Sequence, residues 1–250
     1  MELIIPRPGE SLTDVSKRCD AMYDCLKEDG VRIGPLVFYA GKYEAKVGQQ
    51  LNFVGDVYFN YAMIEQHPAV GDAFAGELFD NIHAEGLMDS FDTVCGIPDG
   101  GRTLGQDLAR LAEKRFVYVG KKPIPTEPGK KQEYAWDLSR FQFEPGERVV
   151  LVEDICNNMQ NTENTLAAIA ATGAKVVLLT CALNRSLLYD KVYTLKSGPF
   201  AGQAIPIIAA IRRPYAEYKQ DDPEVAADVV AGNVEKEVKK NWPRLKALSA

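Results

Sequence analysis

Two histidines and five cysteines, none of them in a CxxC pair, leave this 250-residue chain without the ligand set of a standard structural zinc site. No apolar run approaches the roughly 20 residues that span a bilayer, and the opening MELIIPRPGE has neither the basic region nor the long apolar stretch of a signal peptide. A cytoplasmic location is expected. Positive charge is also short: 29 Lys and Arg stand against 35 Asp and Glu, a formal charge of −6. With no basic field to neutralise a phosphate backbone, nucleic-acid binding is set aside, and so is membrane insertion. Cys19, Cys25, Cys95, Cys156 and Cys181 are expected to be reduced and mostly buried, with Cys156 the one exposed candidate.

What is present is ordinary globular material, 46% hydrophobic and 26% charged, enough for a sizeable core in a single domain spanning residues 1–250. Leu12, Val15, Cys19, Met22 and Leu26 recur at helical steps up to Gly30, and Ser11 with Asp14 resembles a capping box. A β-rich stretch, VRIGPLVFYAGKYEAK, follows, and then helical patterns at 57–66 and 70–85. Residues 1–90 thus read as an α+β cap. From Phe91 strands and helices alternate: FDTVCGIP, GRTLGQDLARLAEK, RFVYVG, then a strand at 148–152, a helix from about 162 to 172, and KVVLLTCAL. Short strands rich in Val and Leu suit a mostly parallel sheet covered on both faces, so the fold class is doubly wound α/β, with its core at 91–212. Ligands in such sheets bind beyond the carboxyl ends of the strands. Residues 213–250 form an extension whose tail, from Pro223, reads as an amphipathic helix broken at Pro243, docking on its own domain or on a second subunit.

The segment KKPIPTEPGKKQEYAWDLSRFQFEPG interrupts this rhythm with four prolines, two glycines and four lysines. It reads as a long loop or a β-hairpin, and long insertions inside compact domains usually carry function.

The strand VVLVEDIC brings two adjacent acids, Glu153 and Asp154, to its carboxyl end, and a polar turn then opens a helix. Carboxylates repel a phosphate but accept hydrogen bonds from ribose hydroxyls or from the waters of Mg²⁺. The N–H groups of the turn and first helical turn can bind the phosphate. Acids for a ribose beside amides for a phosphate specify a ribose-phosphate ligand. The turn, Asn157-Asn158-Met159-Gln160-Asn161-Thr162, has no glycine. Asparagine is the next residue to tolerate φ > 0, and Asn161 or Thr162 is suited to cap the helix. One βαβ unit upstream, Cys95-Gly96-Ile97-Pro98-Asp99-Gly100-Gly101-Arg102 joins a strand to a helix, and its glycine pair lets backbone approach an anion closely.

Together these residues resemble the type I phosphoribosyltransferases, whose fingerprint is an apolar strand, two acids, an apolar pair and a Thr-Thr-Gly-Gly-Ser/Thr phosphate loop. The strand, acids and apolar pair are intact here, and the phosphate loop is replaced. Within the family the chain is most similar to orotate phosphoribosyltransferases, through the Gly-Ile-Pro and Gly-Gly pattern, the lysine-bearing insertion after Tyr118-Val119, Leu183-Asn184-Arg185 where those enzymes carry Leu-Asp-Arg, and Phe38–Tyr43 where they carry a Ser-Gly-Lys element. The likeness runs from about Phe38 to Arg185. It departs at Gly120, where the family has arginine, and at Ala40 and Glu44, which replace serines.

The resemblance implies transfer of a ribose 5-phosphate group from phosphoribosyl pyrophosphate to a nitrogenous base, orotate above others, with Mg²⁺ held mainly by the substrate and a homodimer as the working unit. Glu153 and Asp154 are then expected to hold the ribose hydroxyls, and Asn157 to Thr162 the 5′-phosphate. Asp99, Gly100, Gly101 and Arg102 fall to the pyrophosphate. Lys121, with Lys122, Lys130 and Lys131 as further candidates, meets the charge growing on the leaving group. Arg185 grips the base carboxylate through a two-pronged fork, and Lys42 faces base and pyrophosphate. Alternatives stay open: the lysines as a solvated loop, Arg185 in a surface ion pair, Lys42 in an exposed turn, a different base, or a non-catalytic nucleotide or phosphoribosyl-pyrophosphate sensor on the same fold.

Overall fold

The computed structural model describes residues 2–26, 30–125, 134–196 and 200–248. The chain divides into two compact units, one formed by Met1–Leu12 with Glu65–Arg213, the other by Thr13–Ile64 with Pro214–Ala250.

The unit built from both ends of the chain begins with helix α1 (Leu12–Arg18), followed by strands β1 (Met22–Asp24), β2 (Leu36–Lys46), β3 (Gln49–Gly55) and β4 (Val57–Phe59) and the short helix α2 (Ala62–Glu65). The helical pattern through Leu26 therefore stops early. Asp20 turns the chain at φ 55°, and Met22–Asp24 pairs antiparallel with Val57–Phe59. Tyr23 and Cys25 are fully buried there, so strand pairing and burial override a helical spacing that Met22 and Leu26 also satisfy. Likewise the pattern at 57–66 splits into β4 and α2.

The other unit holds helix α3 (Pro68–Ala84), β5 (Thr93–Gly96), α4 (Gly101–Ala112), β6 (Arg115–Tyr118), the hairpin β7 (Gly120–Pro123) and β8 (Tyr134–Asp137), then β9 (Arg148–Cys156), α5 (Gln160–Ala170), β10 (Lys175–Asn184), β11 (Val192–Thr194) and β12 (Ala204–Arg212). Its six-stranded sheet has the order β11-β12-β10-β9-β5-β6, parallel except for β11. On β9, Val149 and Leu151 join the core beneath Leu166 and Ile169 of α5. On the other face, Gly101 at the start of α4 lies against the carbonyl of Val152. The sheet is thus doubly wound. From β5 the chain runs outward to β6, and from the adjacent β9 it runs the opposite way to β10 and β12, which puts the switch point, where such sheets hold ligands, between β5 and β9. This unit begins at Glu65 and so takes in α3, which sequence patterning alone places in the cap.

The tail returns to the first unit as α6 (Ala226–Val230), β13 (Val234–Glu235) and α7 (Trp242–Leu248). β13 lies parallel to β2, with Val234 opposite Leu36. The expected single tail helix broken at Pro243 is not what forms. Instead Pro243 lies in the first turn of α7, where its missing N–H would be unpaired anyway. Trp242 and Leu245 pack with Tyr23, Val37 and Tyr39, and the Trp242 indole donates to the Asp20 carbonyl at 3.0 Å.

Candidate functional site

Strand β9 is longer than its apolar run suggests. β10 pairs with it as far as Asn184 opposite Cys156, so Glu153 and Asp154 lie within the strand and not beyond its end. Cys156 is correspondingly 1% exposed, which corrects the expectation of an exposed thiol. A hydrogen bond with the Cys181 thiol, then burial, pushes its ionisation well above the usual thiol range.

The two acids differ. Asp154 is half-buried, and its Oδ1 accepts the N–H of Ile155 at 2.8 Å. Glu153 is 4% exposed, opposite Cys181 of β10. Burial, then the neighbouring Asp154 charge and a hydrogen bond with that side chain, push its carboxyl well above the usual carboxylate range.

The glycine pair packs onto these acids. A Cβ on Gly100 would clash with the Asp154 carboxylate, 2.7 Å from its Cγ. One on Gly101 would strike the Val152 carbonyl oxygen and sit 3.1 Å from Glu153 Cα. Gly96 is equally tight, since a Cβ there would lie 2.8 Å from Arg102 Cα. The glycines are therefore required by the approach of loop to strand, before any ligand is considered. The loop is closed by the Ile97 N–H donating to the Val152 carbonyl at 2.8 Å and the Arg102 N–H donating to the Asp99 carbonyl at 3.2 Å. The Asp99 side chain is 83% exposed. The Arg102 guanidinium stacks on Tyr118, 4.9 Å from the ring centroid, and donates to the Val119 carbonyl at 3.0 Å, so its side chain is engaged at the end of β6.

Helix α5 opens at Gln160, two residues earlier than expected. Its N-cap is Met159 at φ 61°, so the left-handed position is held by methionine and by none of the three asparagines. The Met159 side chain is buried in the core of this unit. Asn158, and not Asn161 or Thr162, supplies the side-chain acceptor at the helix start, taking the Gln160 N–H at 3.3 Å. Thr162 is buried with its hydroxyl on the Met159 sulfur at 3.8 Å, while Asn158, Gln160 and Asn161 are exposed and Asn157 is half-buried.

The lysine insertion forms the hairpin β7–β8. Alternation along β7 separates the two lysines. Lys121 Nζ lies 3.8 Å from Asp99 Oδ2 and 5.3 Å from the Trp136 ring centroid, which brings it to the glycine loop. Lys122 is paired with Asp137 at 2.8 Å and donates to Ser139 Oγ at 3.0 Å, a contact internal to the hairpin. Lys130 and Lys131 lie outside the described residues. Arg140, which the sequence does not single out, donates to the Tyr118 hydroxyl at 2.8 Å, on the ring that Arg102 also covers.

At the end of β10, Arg185 is 5% exposed, and its N–H donates to the Cys156 carbonyl at 2.9 Å, which fixes it beside the 157–159 turn. The preceding Asn184 explains its departure from aspartate. Its amide donates to the carbonyls of Tyr189 and Asp190 at 2.8 and 2.9 Å, which a carboxylate cannot do, and its oxygen accepts the Ser186 N–H at 3.1 Å. Arg212, at the end of β12, donates to the Asn184 carbonyl at 3.0 Å and pairs with Asp190 at 2.5 Å. Sequence reasoning missed this second arginine, although "IRRP" at the end of an apolar run was a usable signal. Lys42 belongs to the other unit, exposed on β2 in register with Asn52.

The structure therefore brings Asp154, the Asp99–Gly101 loop, Lys121, the 157–159 turn and the Arg185 backbone to the carboxyl ends of β5, β9 and β10. No helix of the described residues is long and apolar enough to cross a membrane. Among the described residues there is also no group of three or more His, Cys, Asp and Glu arranged to hold a metal ion.

A family model for the phosphoribosyl transferase domain matches residues 60–213, close to the limits of the sheet-bearing unit. Among curated relatives, orotate phosphoribosyltransferase from Sulfurovum sp. (strain NBC37-1) is 31% identical over 129 residues, covering 51% of this chain and 58% of that protein. The enzyme of that name from Bartonella tribocorum is 24% identical over 212 residues, covering 85% and 88%. The first two relatives are thus matched over 58% and 59% of their own length. Among solved structures, orotate phosphoribosyltransferase from Aeropyrum pernix matches with a TM-score of 0.48 at 15% identity, over 80% of this chain and 93% of that one. Adenine phosphoribosyl transferase from Trypanosoma brucei matches with 0.49 at 14%, over 85% and 87%. With its phosphoribosyl transferase domain matched across more than half its length, and the doubly wound sheet to carry it, the chain belongs to the phosphoribosyltransferase family.

Proposed function

We propose that this protein transfers the phosphoribosyl group of phosphoribosyl pyrophosphate to orotate, forming orotidine 5′-phosphate and pyrophosphate. The observation that carries the reading is the seating of Asp154 directly against Gly100, in the loop whose Asp99 Lys121 reaches. The relatives named orotate phosphoribosyltransferase support the choice of base.

In this reading the bond from the base nitrogen to ribose C1 forms as the bond from C1 to the pyrophosphate oxygen breaks, the electron pair leaves with pyrophosphate, and the proton of the base nitrogen is released to solvent. No side chain need act as a nucleophile. Asp154 accepts hydrogen bonds from the ribose hydroxyls and orients C1. The N–H groups of the turn Asn157–Met159 and of Gln160, Asn161 and Thr162 face the 5′-phosphate at a helix start. The Gly100–Gly101 backbone receives the pyrophosphate, and Lys121 exchanges its partner Asp99 for the charge that grows there. Arg185 reads the base carboxylate. The donor set fits Mg²⁺ carried mainly by substrate oxygens, because Asp99 and Asp154 can meet its waters. When bound, the ion neutralises the leaving group. A homodimer in the cytoplasm, with small-molecule substrates, completes the reading and is checked by sedimentation.

The test is orotate consumption with phosphoribosyl pyrophosphate and Mg²⁺, beside calorimetry of phosphoribosyl pyrophosphate binding. Turnover that D154N and K121A each lower by about 100-fold or more supports the enzyme. Binding without turnover identifies a sensor. R185A raising the KM for orotate while leaving that for phosphoribosyl pyrophosphate unchanged supports the base, and an unchanged orotate KM overturns that assignment.

A further inference from the structure

We propose that Arg140 is a further substrate-binding residue: with Arg102 it forms a pair of guanidinium groups on Tyr118 that receives the diphosphate of phosphoribosyl pyrophosphate and keeps hold of it as pyrophosphate leaves. This rests on the phosphoribosyl reading above and adds, to the glycine loop and Lys121, a residue from beyond the hairpin.

The pair is mounted at the carboxyl end of β6. Arg102, in the first turn of α4, lies over the Tyr118 ring at 4.9 Å from its centroid. Arg140, three residues past β8, donates to the hydroxyl of the same ring at 2.8 Å and lies 5.8 Å from the centroid. Its neighbour Phe141 sets that position, meeting Tyr118 edge-on at 5.2 Å while its N–H donates to the Leu138 carbonyl at 2.9 Å. The Val119 N–H donates to the Gly96 carbonyl at 3.2 Å, so this end of β6 is tied to the strand that leads into the glycine loop. Lys121, two residues on, reaches Asp99 of that loop.

Acids are missing from this cluster. Arg32, Arg110, Arg115, Arg148 and Arg212 each pair with a carboxylate. Among the described residues neither Arg102 nor Arg140 does, in a chain whose acids outnumber its bases by 35 to 29: Arg102 donates to the Val119 carbonyl and Arg140 to the Tyr118 hydroxyl, both neutral acceptors. The Arg102 Nε is buried with no acceptor among the described residues. Arg140 is exposed, and one bond to a hydroxyl leaves most of its N–H donors unused. Lys121 brings a third cation, and the one acid beside it, Asp99, stands off at 3.8 Å with its side chain 83% exposed. Cations gathered without counter-charge repel one another, and a polyanion relieves that repulsion while engaging donors that neutral acceptors leave idle. Guanidinium forks match phosphate oxygens, and of the two substrates it is the diphosphate that carries several charges and gains more as it departs.

The experiment measures the KM for each substrate and, by calorimetry, the affinity for inorganic pyrophosphate with Mg²⁺, in the full-length wild type, R140Q, R140K, Y118F and R110Q, with thermal melts beside them. R140Q is expected to weaken pyrophosphate binding and raise the KM for phosphoribosyl pyrophosphate by about tenfold or more, the loss of one charge-assisted bond, with the orotate KM within about twofold of wild type. R140K keeps the charge and loses the fork, so it should fall between. Y118F removes the hydroxyl that steadies Arg140, and is expected to cost about threefold alone and nothing further in an R140Q background. R110Q removes the same charge near the far end of α4 and should leave both constants as in the wild type. An R140Q with wild-type KM and pyrophosphate affinity, changed only in melting temperature, would make Arg140 a clamp on Tyr118 and overturn the proposal. So would an R110Q that matches R140Q, since net charge alone would then explain the effect. A wild type that binds pyrophosphate through Arg140 yet consumes no phosphoribosyl pyrophosphate with orotate would fail the transfer reading and still support the guanidinium pair as a diphosphate site.

Discussion

The hydroxyl of Tyr193 donates to the carboxylate of Glu163, tying the edge strand β11 to the first turn of α5. Tyr193 is fully buried, its ring meets Tyr189 edge-on at 4.9 Å, and burial followed by the Glu163 contact keeps its hydroxyl protonated far above the usual range. Y193F removes one donor to a charged acceptor while keeping the ring. A loss of about 1.5–3 kcal/mol in unfolding free energy is expected by denaturant titration, and E163Q in the same background should add little.

Gly100→Ala places a methyl group into the Asp154 carboxylate, and a side-chain carboxylate shifts more readily than the start of a helix packed on the strand. In the proposed reading Asp154 binds the ribose, and displacing such a group by about an ångström costs on the order of 100-fold in rate. G100A should therefore lower kcat/KM for phosphoribosyl pyrophosphate strongly while its melting temperature stays near that of wild type.

Met159 sets two effects against each other. Its left-handed backbone costs about 1–2 kcal/mol, and burial of its side chain contributes about 1.5–3 kcal/mol. Burial wins narrowly. M159G should destabilise by about 1 kcal/mol, and M159A, which keeps the strain and loses the side chain, by about 2–3 kcal/mol. Denaturant midpoints of the two variants check the order.

Lys121 and Lys122 are neighbours in sequence with different partners. K121A should lower kcat with little change in stability. K122A, which breaks a contact to Asp137 inside the hairpin, should leave kcat within about twofold and cost at most about 1 kcal/mol.

Asp92 receives the guanidinium of Arg148 through bonds of 2.6 and 3.0 Å and its backbone N–H at 3.1 Å, side chain first in importance, which holds its pKa down to about 2. The folded-state value lies below the unfolded one of about 3.9, so the stabilisation is present above about pH 4 and is lost as pH falls toward about 2. D92N should flatten the acid limb of the stability curve in that window, measured by urea midpoints at each pH.

Much of the sheet-bearing unit was readable because parallel strands buried on both faces are near-continuous runs of Val and Leu, and Gly86 and Gly173 mark the ends of helical patterns. Less was readable in the unit made from the chain ends. Its strands are short, and β13 pairs with β2 across nearly 200 residues of sequence, which no local period reports. The same is true of α1, whose pattern continues while the pairing of Met22–Asp24 with Val57–Phe59 ends the helix.

Residue types and their spacing were enough to gather two acids, a glycine pair, a lysine and an arginine toward one edge of the sheet, because strand-to-helix turns in a doubly wound sheet all open on one edge. They could not divide the labour between neighbours. Glu153 is buried and Asp154 is not, Lys121 reaches Asp99 and Lys122 does not, and the left-handed turn falls to Met159 while two asparagines stand beside it. Those differences come from how far β10 extends its pairing along β9, how closely α4 settles on the strand, and which face of β7 each lysine takes. All three are set by packing between segments distant in sequence, and only the folded chain contains them.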